Sequence, residues 1–328
     1  MQSANINFKY RFIQNNQATG LFASNGSASD SAITLDGETI PYKNIVDTFS
    51  RDNNFVLSLA PGTQLGPKTA NRIQNNQHLV LAISKVKSYD LKKHVDRFGS
   101  AIWTESHRQQ LLSEGKENQF SSLTCPHCQA TIDLSGAERT TYVYCPYCGS
   151  IVNHSLKVIS NSDTYTICDE CRMYDRVRGY TIFNFYFLLV IYGYSVQRRF
   201  VCDNCATRLA QRALLTNLLF IRGIPSAIYM WIKAQTGREP YFQNLAKANQ
   251  LARKGKYKES DEIYDQLFSL YPDHPGLLMN KGLGHLHGKD GNGAVGLLTK
   301  SLKVCANYFP SINIVRQLQQ GSSPTSGD

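Results

Sequence analysis

No stretch of this 328-residue chain carries the signature of a catalyst. There is no His-Glu-x-x-His helix, no glycine loop built to cradle a phosphate and no nucleophile elbow. Gly20, Gly26 and Gly37 are scattered turn residues. The adjoining carboxylates Asp261-Glu262 and Asp169-Glu170 read more simply as surface residues than as an acid–base pair. These absences point away from an enzyme. An apolar leader is also missing, since residues 1–12 (MQSANINFKYRF) are polar, and the expectation is a cytoplasmic chain without disulfides. No segment dominates the charge either. Residues 1–120 carry 13 basic and 10 acidic side chains, residues 121–239 carry 12 and 8, and residues 240–328 carry 10 and 7. That evenness excludes a large nucleic-acid stripe. The local exception is a group of eight arginines, Arg172, Arg176, Arg178, Arg198, Arg199, Arg208, Arg212 and Arg222, against four acids between 168 and 222. The group suits either a solvated face or contacts to phosphate.

What the chain does have is patterned cysteine. Eight of its nine cysteines form four Cys-x-x-Cys pairs: Cys125/Cys128, Cys145/Cys148, Cys168/Cys171 and Cys202/Cys205. A two-residue gap lets both sulfurs of one tight turn face a single tetrahedral metal, so four pairs make two sites. Pro126 and Pro146 set the turns, and Gly149 lets backbone amides approach a sulfur. A redox dithiol needs one pair, not four. Two structural zinc ions, each held by four thiolates, are therefore expected. Sequential pairing gives sites 125–148 and 168–205. An alternating cross-brace, as in RING or FYVE domains, is the other arrangement, but 19 residues separate the second and third pairs. His127 is a weaker ligand candidate than the four cysteines of its site. Cys305, in an amphipathic helical pattern, reads as a small buried residue. Each zinc with four thiolates carries about −2, which lowers the formal +10 to about +6. The array resembles a tandem of zinc ribbons.

The remaining segments read as a multidomain α+β chain. Residues 1–115 are β-rich: Ile33 and Leu35 alternate with polar neighbours, Asp36-Gly37 offers a turn, and residues 55–59 and 78–83 are strands. Beyond Tyr89, the spacing of Leu91, Val95, Phe98, Ile102 and Trp103 predicts a helix. Strands closed by one C-terminal helix resemble the pleckstrin-homology superfamily, including its GRAM-type members. Residues 116–160 hold the first ribbon, and residues 129–144 offer two short strands around Ser135-Gly136. Residues 161–236 hold the second, whose apolar run 180–191 has a period of two and predicts a strand. A further apolar run, 213–232, is broken by Arg222-Gly223 and Pro225 and predicts two short helices rather than one span. Tyr229 and Trp231, followed by Lys233 and Arg238, have the look of an interfacial girdle. This module resembles membrane-associated zinc ribbons.

From residue 237 the language is helical. At an offset of 34 residues, Ala248 aligns with Gly282, Ser260 with Ala294, Tyr264 with Leu298 and Leu267 with Ser301. These small and large positions, with Gly255-Lys256-Tyr257 and Tyr271-Pro272, resemble tetratricopeptide repeats over residues 237–320. A capping helix is expected from Ser311, and residues 321–328 are expected to be a disordered tail.

The resulting expectation is a non-enzymatic zinc-binding adaptor. The resemblance to tetratricopeptide repeats implies a protein or peptide partner for residues 237–320. Residues 176–236 would meet the inner face of an anionic membrane through Arg176, Arg178, Phe183, Phe185, Phe187, Arg198, Arg199 and Trp231. The rival reading is a nucleic-acid-binding ribbon protein, with arginines interleaved among Tyr174, Tyr180, Tyr192 and Tyr194.

Overall fold

The computed structural model describes residues 5–15, 17–51, 54–74, 77–83, 88–153, 158–160, 165–188, 191–216, 224–236 and 242–320. The chain divides into two compact units, residues 1–136 and 137–328.

Alternating apolar residues build the first unit. β1 (Ile6–Gln14) turns Phe8, Tyr10 and Phe12 inward and Lys9 and Arg11 outward. The short β2 (Gln17–Ala18) pairs with its end. β3 (Ser24–Ala28), β4 (Ala32–Leu35) and β5 (Glu38–Pro41) follow as a meander. Asp36 (φ 50°) and Gly37 (φ 83°) are both left-handed, as a two-residue turn between β4 and β5 requires. β6 (Ile45–Arg51), β7 (Asn54–Leu59), the single helical turn α1 (Pro67–Ala70) and β8 (His78–Ile83) complete an antiparallel sheet of order β5-β4-β3-β1-β8-β7-β6. Helix α2 (Ser88–Ser113) lays Leu91, Val95, Phe98, Ile102 and Trp103 on the sheet's core. The Trp103 indole N–H donates to the Tyr42 carbonyl at 2.7 Å. Buried Asp96 accepts from Thr48 and Lys92, while burial raises its pKa above the ordinary carboxylate value. At the end of the unit, β9 (Ser122–Thr124) pairs with β10 (Thr131–Asp133). The Thr131 N–H donates to Ser100 Oγ at 2.8 Å, which fixes this hairpin on α2.

In the second unit, β11 (Tyr142–Tyr144), β12 (Ile151–Asn153) and β13 (Val158–Ser160) form one sheet. The two strands expected around Ser135-Gly136 are β10 and β11, and they pair with β9 and β12 rather than with each other. β14 (Tyr165–Ile167), β15 (Tyr174–Leu188) and β16 (Ile191–Cys202) form a second sheet. The apolar run is strand, as its period of two predicts, and β15 pairs with β16 from Val177↔Cys202 to Leu188↔Ile191. The broken run gives α3 (Asp203–Thr216) and α4 (Ile224–Gln235). Arg222 and Gly223 lie outside the described residues. Among the described residues, no helix is long and apolar enough to cross a membrane.

Five helices follow: α5 (Leu245–Arg253), α6 (Tyr257–Leu270), α7 (Pro275–His287), α8 (Gly291–Val304) and α9 (Phe309–Gln319). All eight positions aligned at the 34-residue offset are buried. Gly282 shows why they are small, since a Cβ there would lie 3.3 Å from the Ala294 carbonyl oxygen. Cys305 is buried, and burial pushes its thiol up to about 12. The tail expected to be disordered, residues 321–328, lies outside the described residues. The helices do not close on themselves alone. Their core includes Ile151, Tyr165 and Tyr174 from the strands and Met173 just before β15, so these strands and the helices share one interior.

His274, at the N-terminus of α7, lies in that interior. Its Nδ1 accepts from the Leu277 N–H, and burial lowers its pKa from 6.5 to about 3. Below pH 6.5 the unfolded chain therefore takes up a proton that the folded chain refuses. Stability from this residue is fully present above 6.5 and lost as pH falls towards 3, at about 1.4 kcal/mol per pH unit. Asp175 has the opposite sign, since burial raises its pKa from 3.8 to about 6 and stability declines as pH rises through that window. Comparing the pH slope of unfolding in wild type and His274→Asn isolates the histidine, because Asn keeps a capping acceptor without the proton. Equal slopes between pH 6.5 and 4 would refute the assignment.

Candidate metal centres

The eight paired cysteines converge as two quartets, Cys125/Cys128/Cys145/Cys148 and Cys168/Cys171/Cys202/Cys205, with the sulfurs of each within 4.8 Å of one another. His127 is not part of the first quartet. Sequential pairing is thus the arrangement found, and each quartet can hold one metal ion.

Local backbone geometry explains three of the four pairs. Cys125 N–H donates to Ala130 O at 2.9 Å and Gln129 N–H to Cys125 O at 2.8 Å. The next turn repeats this, with Cys145 N–H to Ser150 O and Gly149 N–H to Cys145 O, both at 2.8 Å. The third does so with Cys168 N–H to Met173 O at 2.9 Å and Arg172 N–H to Cys168 O at 3.0 Å. In each, the residue after the second cysteine is left-handed: Gln129 (φ 64°), Gly149 (φ 74°) and Arg172 (φ 59°). That reversal turns both sulfurs of a pair to one side.

The fourth pair departs from the ribbon expectation of a second such turn. Cys202 ends β16, and Cys205 lies in the first turn of α3. Free amides and the helix dipole at this N-terminus favour thiolate. The Cys202 N–H donates to Cys168 Sγ at 3.3 Å. Cys171 Sγ and Cys202 Sγ are 3.9 Å apart. A tetrahedral ion with metal–sulfur bonds of about 2.3 Å separates its sulfurs by about 3.8 Å, so the cage already has the right size. The thiols of Cys171, Cys202 and Cys205 turn towards Cys168 and hold it far below the ordinary thiol range. Four thiolates at this spacing would repel one another, so without a cation the pull on Cys168 comes at the cost of Cys171 and Cys202, whose thiols are raised; a cation at the centre removes that repulsion.

Two carboxylates near this second centre each engage two arginines. Asp203, at the head of α3, accepts from Arg176, from Arg178 Nε at 2.9 Å and Nη2 at 2.6 Å, and from the Tyr180 hydroxyl at 2.6 Å. Arg178 Nη2 also donates to the Lys233 carbonyl, and Lys233 Nζ donates to Gly179 O at 2.8 Å. Glu170 meets Arg199 at 3.1 Å and Arg208 at 3.5 Å. Of the residues expected to touch phosphate, Arg176, Arg178 and Arg199 are thus engaged by carboxylates of the same chain. Phe183, Phe185 and Phe187 stand opposite Val196, Tyr194 and Tyr192 in the strand register, with Arg198 opposite Thr181. The side chains of those three phenylalanines and of Arg198 lie outside the described residues. Trp231 is on α4 and 43% exposed.

Two features carried no signal in the cysteine spacing. Arg253 of α5 donates through Nη1 to Cys205 Sγ at 3.1 Å, placing a cation from the helical region against a metal-site sulfur. Three residues beyond Cys171 a buried polar clamp begins. Tyr174 N–H donates to Asn280 Oδ1 at 2.8 Å, and Asn280 Nδ2 returns a bond to Tyr174 O at 2.6 Å, so one amide side chain pairs with a strand as a neighbouring strand would. Asn280 Nδ2 and the Tyr264 hydroxyl donate to Asn249 Oδ1, while Asn249 Nδ2 bonds Tyr174 O and Asp175 Oδ2. An Asn in a helix is unremarkable in sequence; only the fold reveals its partner.

Comparison with protein-family models, curated proteins and solved structures finds no match for this chain.

Proposed function

We propose that this chain is a non-enzymatic adaptor whose two cysteine quartets each bind a structural zinc ion. The observation that carries the reading is the second quartet. Four sulfurs, three of them on buried cysteines, fill every position of a tetrahedral ion, leaving none for substrate or water. Arg253 and the Asn249–Asn280 clamp then join that centre to the helices. Zinc in such a place is a rivet for a binding scaffold. The meander of β1 and β3–β5 beside that of β6–β8, closed by α2, supports the likeness to pleckstrin-homology domains. The buried small residues at the 34-residue offset support the likeness to tetratricopeptide repeats. Part of the helical surface is already used, because α5 and α7 bury Ala248, Asn249, Leu277 and Asn280 on the same core as the strands.

Attachment to a membrane surface rests on α4. Its inward positions are Ala227, Met230 and Ala234, and the last two pack with Ala206 and Ala210 of α3. Its large apolar residues point the other way: Ile228 is 43% exposed, Tyr229 69% and Ile232 47%, with Leu215 of α3 at 70%. Small residues inside and large ones outside reverse the order of a water-facing helix. Flotation of the zinc-loaded full chain with vesicles tests the proposal. Binding is expected with phosphatidylserine present, and Tyr229→Ser with Trp231→Ser is expected to reduce the bound fraction about tenfold. Absence of flotation, together with salt-sensitive retention on RNA or DNA that Arg198→Ala and Arg199→Ala weaken, would replace this reading by the nucleic-acid one.

A further inference from the structure

A groove of about 720 Å³ opens between α7, α9 and the cysteine turn after β14. Ile167, Met279, Leu283 and Ile314 give it apolar walls, and Arg172 and Arg316 give it charge. Among the described residues, no carboxylate lines it. The two arginines differ from their neighbours. Arg176, Arg178, Arg199, Arg208 and Arg253 all have an anionic or sulfur partner. The side chains of Arg172 and Arg316 have no hydrogen bond or ion pair among the described residues. Arg172 also holds φ at 59°, at the place where the preceding turn has Gly149. A non-glycine residue there costs about 1 kcal/mol in backbone strain, so its side chain is kept against a conformational penalty. Along α9, Asn313, Gln317 and Gln320 follow one another on the same wall. Amides at that spacing suit the donors and acceptors that an extended main chain presents at every residue.

We propose that this groove binds a short extended peptide carrying carboxylates beside apolar side chains. The proposal rests on the adaptor reading and supplies the chemistry of its partner. Carboxylate–guanidinium pairs give the orientation, and the apolar walls take the neighbouring side chains. A fatty acid would use the walls and one arginine but would present no main-chain groups to Asn313 and Gln320.

The test uses the zinc-loaded full chain and fluorescence polarisation with the labelled probe acetyl-Ser-Asp-Leu-Asp-Leu-Ser-amide. Its isosteric counterpart carries Asn for Asp, and decanoate serves as competitor. The Asp probe is expected to bind about tenfold or more tightly than the Asn probe. Arg172→Gly, which suits the left-handed backbone, and Arg316→Gln are each expected to remove most of that difference, while Ile314→Glu abolishes binding of both peptides. Zinc content and the far-ultraviolet helical signal identify folded variants. Equal affinity for the two probes would overturn the proposal, as would no binding at millimolar concentration or an unchanged preference in folded Arg172→Gly and Arg316→Gln. Displacement by decanoate with no Asp-over-Asn preference would overturn it in favour of a small amphiphile. Zinc stoichiometry and vesicle flotation of the same preparations do not depend on these residues, so failure here is distinguishable from failure of the adaptor reading.

Discussion

Removing metal from the second centre is expected to unfold the C-terminal helices along with the cysteine turns. Structural zinc contributes an apparent 10–16 kcal/mol in finger peptides, roughly, whereas a whole domain is stable by about 5–15 kcal/mol. Loss of one ion therefore exceeds the margin of the unit it holds together. Cys168 is the most telling ligand, because the Cys202 N–H bonds its sulfur and Cys205 next to it takes the Arg253 bond. Elemental analysis is expected to give two zinc ions per wild-type chain and one for Cys168→Ser. The same variant should lose helical signal from α5–α9, since these helices share their core with Tyr165, Met173 and Tyr174. Cys145→Ser should likewise bind one ion, with disorder centred on β11 and β12. Zinc near zero in wild type, with all eight paired thiols titrating freely, would sink the metal assignment. Native-like melting of the helices in Cys168→Ser would sink the coupling.

Asn280→Ala is expected to be the most damaging single change away from the cysteines. It deletes both bonds to the Tyr174 backbone and one to Asn249; the Tyr174 carbonyl keeps Asn249 Nδ2 and Asn249 Oδ1 keeps the Tyr264 hydroxyl, while the buried Tyr174 N–H loses the Asn280 acceptor. A buried donor deprived of its acceptor costs about 1–3 kcal/mol and each further lost bond about 1 kcal/mol, so a total of about 3 kcal/mol follows. Asn249→Ala acts on the same network, and a double-mutant cycle should show an interaction of about 1 kcal/mol or more. Urea denaturation of the zinc-loaded chain measures both quantities. A loss below about 1 kcal/mol in Asn280→Ala would show that the clamp is not what holds strand to helix.

Features differ in how far the amino-acid order reaches. Local rules are legible directly. The two-residue gap places two sulfurs on one turn, Asp36-Gly37 reverses a hairpin, and the run after Thr181 alternates as a strand must. Cys202/Cys205 shows the limit even here. The same spacing serves a strand end and a helix start rather than a turn, because the preceding fifteen-residue β15 and its partner β16 deliver the chain to the site already extended.

Amino-acid order alone was enough for the cysteine pairs, their sequential grouping into quartets and the strand character of the apolar run. Each depends on neighbours a few residues apart, where spacing and backbone preference act without help. Tertiary structure alone decided what those elements touch. Asn280 meets Tyr174 across 106 residues, and Arg253 meets Cys205 across 48. It also decided that Arg176 and Arg178 turn to Asp203 while Arg172 and Arg316 line an open groove. Charge and hydrogen-bonding capacity belong to the residue. The partner that uses them is chosen when distant segments compete to satisfy every buried polar group at once.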